Sequence, residues 1–149
     1  MIGSLRGAVL ERTATGEVLV EVGGVGYRVA VPAGVLVTLE PGDAAFLFTH
    51  LLVREDALTL YDFASAAELA LFEQLLGVRG LGPAKALALL SGSSVEALRT
   101  AIAGENTASL TRIPGIGRRL AAQIVLDLKD KVGPVVAEGV AVTDSEVLA

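Results

Sequence analysis

A β-then-α chain is the fold class the sequence predicts: a small closed barrel of five to six strands, then an all-α domain built from two helical hairpins. Three observations carry this. Residues 1–63 alternate apolar and polar at period two, and from Ser65 onward leucines recur at helical spacing. A Gly-aliphatic-Gly group also occurs twice, 35 residues apart, at Gly80–Gly82 and Gly115–Gly117.

The first strand runs near Ile2 to Leu10. "GEVLVEV" and "GYRVAV" alternate around the turn "GGVG", and "AAFLFTHLLV" and "ALTLYDF" flank a tip that carries Arg54, Glu55 and Asp56. About five short strands of this kind are enough to close an oligonucleotide-binding-type barrel. Beyond them, "SAAELALFEQLLGV" begins with a serine cap and sets Leu69, Phe72, Leu75 and Leu76 on one stripe. "PAKALALLSG" starts on proline and ends in glycine, and "SSVEALRTAIAGE" offers serine then glutamate in a capping arrangement. The last helix, "GRRLAAQIVLDLKDKV", aligns Leu120, Ile124, Leu128 and Val132. "GPVVAEGVAV" lacks periodicity and reads as a linker. The expected organisation is a barrel over 1–63, a tandem hairpin domain over 64–132, and a linker with the start of a third domain over 133–149.

The 149 residues include no cysteine and one histidine, which excludes a disulfide framework, a thiolate zinc site or a cysteine-held iron–sulfur cluster and suits a reducing cytoplasm. No apolar run approaches the roughly 20 residues that span a bilayer, so no membrane span is expected. Hydrophobic residues make up 52% of the chain but aromatics only 4%, which favours burial of some apolar surface against other subunits. The net charge of −5 hides an asymmetry: residues 1–63 carry 4 basic and 8 acidic residues, 64–132 carry 8 and 6, and 133–149 carry 0 and 3. Only the middle segment is basic.

That segment holds the repeat. Each Gly-aliphatic-Gly follows one helical segment and opens another. Glycine permits positive φ and close approach of a phosphate to the backbone. The first N–H groups of the following helix have no intrahelical acceptor and sit at the positive end of the dipole. Arg118 and Arg119 behind one copy and Lys85 behind the other add full charges, while Leu81 and Ile116 pack between the helices. The pattern is a double helix-hairpin-helix, a cradle for DNA phosphate that reads no base. Its expected contacts are Gly80, Gly82, Lys85, Gly115, Gly117, Arg118 and Arg119.

Catalytic signatures are missing. No Gly-x-x-x-x-Gly-Lys-Ser/Thr loop for ATP occurs. Helix-hairpin-helix glycosylases with lyase activity use a hairpin lysine as nucleophile, but the matching position is Arg119, and an arginine does not shed its proton to act as an amine. His50 lies among apolar strand residues without a second histidine, which favours a packed structural role. Asp127 and Asp130, beside Lys129 and Lys131, read as a solvated face. The expectation is no catalytic residue, no metal and no cofactor. Two rival readings are a helix-hairpin-helix repair nuclease or glycosylase, and a protein-interaction module whose hairpins only pack helices.

"MIGSLRG", "VEVGGVGYRV", "FTHLLVREDALTLY", "GLGP" and "LTRIPGIGRRLA" resemble, in order and spacing over residues 1 to about 132, the RuvA family of junction-recognition subunits of the bacterial Holliday junction branch-migration complex. The resemblance implies a barrel that assembles a homotetramer, or an octamer on DNA, and hairpins that grip the arms of a four-way junction. It further implies a RuvB-type hexameric ATPase motor and a RuvC-type resolvase as partners. Glu55 and Asp56 match the family's acidic pin, whose carboxylates at the junction centre repel crowded phosphates and favour an open, square junction.

Three departures accompany the resemblance. The family's first hairpin has a basic residue directly after its proline, where this chain has Ala84 followed by Lys85, about 100° further round the helix. Asp62 stands where glycine is common in "LYGF". The family's third helical domain is represented only by "TDSEVLA", about two turns of chain, which is too short to fold alone. Either the chain is truncated or motor coupling has been lost.

Overall fold

Alternation along the first 63 residues becomes five strands: β1 (Ser4–Arg12), β2 (Glu17–Val22), β3 (Val25–Ala30), β4 (Ala44–Val53) and β5 (Leu58–Phe63). In this computed structural model, which describes residues 1–132, they close into an OB-like barrel in the order β1-β2-β3-β5-β4. Every pair is antiparallel except β3 with β5. Inward residues such as Val9, Val18, Val20, Val29 and Leu47 are no more than 2% exposed and form the barrel core. The β2–β3 turn needs only Gly23 and Gly24, at φ +58° and +89°, because a two-residue hairpin turn of this hand requires positive φ at both positions.

Two local features shape β1. The register against β2 shifts between Val9 and Glu11, a bulge that leaves Leu10 exposed. Gly7 lies so close to β2 that a Cβ there would run into the Glu21 carbonyl oxygen. Between β3 and β4 a single helical turn, α1 (Ala33–Leu36), follows Pro32 and tucks Val35 into the core; period-two reading had not anticipated it.

α2 (Ala66–Leu76) starts where the serine cap predicts: the Glu68 N–H donates to Ser65 Oγ at 3.1 Å, and the Glu68 carboxylate accepts from the Ala64 N–H at 3.0 Å. Its buried residues are Leu71, Phe72 and Leu75, while Leu69 and Leu76 are only half-buried. The expected stripe is thus corrected by a turn of the helix toward Leu71. Phe72, just past the middle of α2, has ring contacts with Tyr61 (5.2 Å), Phe63 (4.8 Å) and His50 (5.7 Å) of the strands. The His50 Nδ1–H donates to Glu73 Oε2 at 2.8 Å, so His50 ties β4 to α2.

The chain divides into two compact units, Met1–Glu73 and Gln74–Ala149. The second contains α3 (Pro83–Gly92), α4 (Val95–Ala103), α5 (Thr107–Thr111) and α6 (Arg118–Leu128), packed over Leu89, Leu98, Ile102, Leu110 and Ile124. Ser94 caps α4 by accepting from the Ala97 N–H, so Ser94 and not the Ser93–Glu96 pair closes that end. The short α5, unanticipated, is capped by Asn106. On α6 the buried residues are Ala121, Ile124, Val125 and Leu128; Leu120, expected in the core, is only half-buried. Among the described residues no helix is long and apolar enough to cross a membrane. The expected linker and third-domain start, 133–149, lie outside the described residues.

Candidate nucleic-acid interface

The two Gly-aliphatic-Gly segments fold into the same turn. In the first, the Leu81 N–H donates to the Val78 carbonyl at 3.1 Å; in the second, the Ile116 N–H donates to that of Ile113 at 3.0 Å. Gly80 (φ +85°) and Gly115 (φ +93°) take the third position, and the pattern is that of a type II turn, which demands positive φ there. The second glycines differ from the expectation. Gly82 (φ −92°, ψ 179°) and Gly117 (φ −88°, ψ 179°) have ordinary extended backbone and act as N-caps of α3 and α6. Their value is the missing side chain: a Cβ on either would meet nothing within 4 Å, so each leaves the adjoining helix end open to a ligand. Val78, Leu81, Ile113 and Ile116 are all buried and fix each turn on the helical core.

The helix starts left open are chemically distinct from their neighbours. α4 and α5 are capped by their own side chains, whereas α3 and α6 have no side-chain cap. Their first intrahelical bonds are Ala86 N–H to Gly82 and Ala121 N–H to Gly117, which leaves the N–H groups of Ala84 and Lys85, and of Arg118, Arg119 and Leu120, facing outward from the positive helix end.

These two starts converge on one cleft of about 540 Å³ lined by Arg79, Gly80, Lys85, Gly115, Gly117, Arg118, Arg119, Leu120 and Gln123. Six of the seven residues expected from the sequence thus meet; Gly82 is not among those lining the cleft. Arg79, Leu120 and Gln123 were missed. Arg79 occupies the outer corner of the first turn, ahead of the glycines where no helical pattern points. Gln123 lies one turn into α6, its amide held by donation to Asp127 Oδ1 at 2.8 Å. Among the described residues, none of the cations Arg79, Lys85, Arg118 and Arg119 forms an ion pair; the pairs present are Arg12–Glu40, His50–Glu73 and Lys129–Glu105. Four unneutralised cations around two open helix starts suit an anion with spaced charges, such as a nucleic-acid backbone.

The other expected group lies on the barrel. Glu55 and Asp56 are exposed at the β4–β5 tip, which is closed by the Arg54 N–H donating to the Ala57 carbonyl at 2.9 Å. The exposed Val53 and Leu58 pair directly behind them.

Comparison with known proteins follows the same division. Residues 1–61 match the family model described as RuvA N terminal domain, and residues 72–130 match that described as SAM-like Helix-hairpin-helix tandem. Proteins named Holliday junction branch migration complex subunit RuvA are similar along most of the chain. The Mycobacterium leprae protein is 50% identical over 142 residues, 95% of this chain and 70% of that one. The Herpetosiphon aurantiacus protein is 52% identical over 134 residues (89% and 68%), and the Symbiobacterium thermophilum protein 50% over 145 (97% and 70%). A five-stranded barrel, a duplicated helix-hairpin-helix and half-identity to these proteins lead to one conclusion: the chain belongs to the RuvA family.

Proposed function

We propose that this chain recognises four-way DNA junctions without reading their sequence and holds them open for branch migration driven by a partner ATPase. The single observation that carries the reading is the cleft, where both hairpins bring glycine turns, uncapped helix starts and four free cations to one place. Such a surface grips phosphates through backbone N–H groups and cations, contacts that carry no sequence information, so affinity is sequence-independent and falls with salt. Gly80, Gly82, Lys85, Gly115, Gly117, Arg118 and Arg119 are the proposed phosphate contacts. The similarity to proteins named as subunits of a Holliday junction branch migration complex supports the four-way junction as the target.

Junction specificity then comes from assembly. The barrel exposes Leu10, Val25, Val37, Phe46, Val53 and Leu58, which supports association with further copies, and we propose the homotetramer, pairing into an octamer on DNA. Four tips carrying Glu55 and Asp56 around a crossover repel the phosphates gathered there and disfavour stacked arms. The protein itself is a non-catalytic scaffold; a RuvB-type motor supplies ATP hydrolysis and a RuvC-type resolvase cuts.

The test is a titration of a synthetic four-way junction against a linear duplex of equal arm length, with light-scattering mass on the same sample. Strong junction preference from a tetramer is expected. Equal affinity from a monomer would overturn the junction assignment, and any cleavage or base release in magnesium would restore the repair-enzyme rival.

A further inference from the structure

The two hairpins superimpose in chemistry at an offset of 35 residues, and their charges do not. Val78, Gly80, Leu81, Gly82 and Ala86 correspond to Ile113, Gly115, Ile116, Gly117 and Ala121 in every turn and cap hydrogen bond. At the same offset Arg118 and Arg119 correspond to Pro83 and Ala84, so the first copy has no cation at either of the places where the second has two. Its charges lie instead at Lys85, which corresponds to Leu120, and at Arg79, which corresponds to Pro114.

We infer that Arg79 is a phosphate-binding residue, supplying from the front of the first hairpin the charge that the second hairpin carries behind its glycines; the inference rests on the reading of the cleft given above. Arg79 lines that cleft together with Lys85, Arg118 and Arg119. Its own turn does not require it. The second position of a type II turn suits proline, and Pro114 fills the equivalent corner. No fold contact explains it either: the side chain is exposed and has no ion pair among the described residues. In the turn Arg79 is exposed, whereas Val78 and Leu81 at its two ends are buried. A phosphate approaching the open N–H groups of Ala84 and Lys85 would then lie between Arg79 on one side and Lys85 on the other. Because α3 begins with proline, it offers one fewer N–H than α6, and a forked guanidinium with several donors is suited to make up that difference.

The experiment uses the full chain and a labelled four-way junction and random-sequence duplex, titrated across a salt series. Arg79→Ala is compared with Arg99→Ala, which removes the same charge from α4 outside the cleft, and with Gly117→Val, which obstructs the second hairpin. Arg79→Ala is expected to lower the slope of log K against log salt by about 0.9 for each protomer engaged, alike on junction and duplex, while Arg99→Ala leaves the slope unchanged. Slopes for Arg79→Ala and Arg99→Ala that coincide, with Gly117→Val still losing affinity, would overturn the inference and leave the cleft standing. Unchanged binding in all three variants would overturn the cleft reading with it.

Discussion

Asp62 offers the most quantitative test of the structure. It is fully buried on β5, directly opposite Thr49 of β4, and neither carboxylate oxygen has a hydrogen-bond partner among the described residues. Burial pushes its pKa from 3.8 up to about 7; the nearby Thr49 hydroxyl works in the other direction, but it too lacks hydrogen-bond geometry. In the unfolded chain the carboxyl loses its proton near 3.8, whereas the folded barrel holds it until about 7. Between those values the folded state binds more protons, so stability declines as pH rises, at up to roughly 1.4 kcal/mol per unit. The stabilisation is complete below the unfolded value and gone above the folded one, a total of about 4 kcal/mol for a shift of about three units. Asp62→Asn keeps the shape and removes the ionisation. Urea unfolding can be followed by tyrosine fluorescence, since the chain has no tryptophan and its two tyrosines, Tyr27 and Tyr61, are both in the barrel unit. The variant's gain over the parent should be small near pH 4 and approach about 4 kcal/mol by pH 8. A constant difference across that range would refute the buried, proton-holding carboxyl, because the amide's own burial cost does not vary with pH.

Four further variants probe other parts of the argument. Gly117→Val should weaken duplex and junction binding alike by about tenfold or more, roughly 1.4 kcal/mol, with an unchanged circular dichroism spectrum because its Cβ meets open space; unchanged affinity would contradict the cradle. Gly80→Ala should instead cost about 1–2 kcal/mol of stability in denaturant titration, since φ +85° strains any residue with a Cβ. Gly7→Ala should destabilise the barrel by about 1–3 kcal/mol or more, because the strand backbone must move away from the added methyl; a neutral result would mean that β1 and β2 can separate freely. Replacing Glu55 and Asp56 by Gln and Asn should leave junction affinity equal or higher while shifting arm geometry, read by fluorescence transfer between arm ends, toward the stacked form; a large loss of affinity would count against repulsion at the tip.

How legible the fold was depended on element length. β2, β4 and β5 could be read to within about a residue because each has enough positions for period two to show. α1 and α5, at four and five residues, are shorter than a period-3.6 pattern can declare, and they are positioned by Pro32 and by the Asn106 cap. Leu71 and Leu69 were exchanged because the apolar residues of α2 run almost all round it, so periodicity alone does not fix which stripe is inward: the buried one is centred between Leu71, Phe72 and Leu75, turned away from Leu69 and Leu76. At the site, the glycines and the cations behind them were visible as a repeat. Arg79 was not, because attention to helix starts looks forward from each glycine; aligning the copies at 35 residues would have shown the charge displaced to the front. Asp62 carried no signal beyond its departure from the family pattern, since only the closed barrel reveals that its carboxyl is buried.

An acidic chain that binds an acidic polymer is a problem only if charge acts as a sum. At physiological ionic strength the field of an exposed charge is screened over about 8 Å, so a phosphate in the cleft responds to the cations that line it and hardly to carboxylates farther away. The excess of acid lies in residues 1–63 and 133–149, whereas the cleft carries Arg79, Lys85, Arg118 and Arg119 without an acidic lining residue. The salt dependence of binding should therefore follow the number of cleft cations and not the net charge of −5. The same screening would make the proposed acidic pin selective. On the proposed reading, Glu55 and Asp56 act where assembly brings a crossover to within a few ångströms of them. Segregating the two signs in one chain is, on that reading, what would let it hold the arms of a junction and repel its centre.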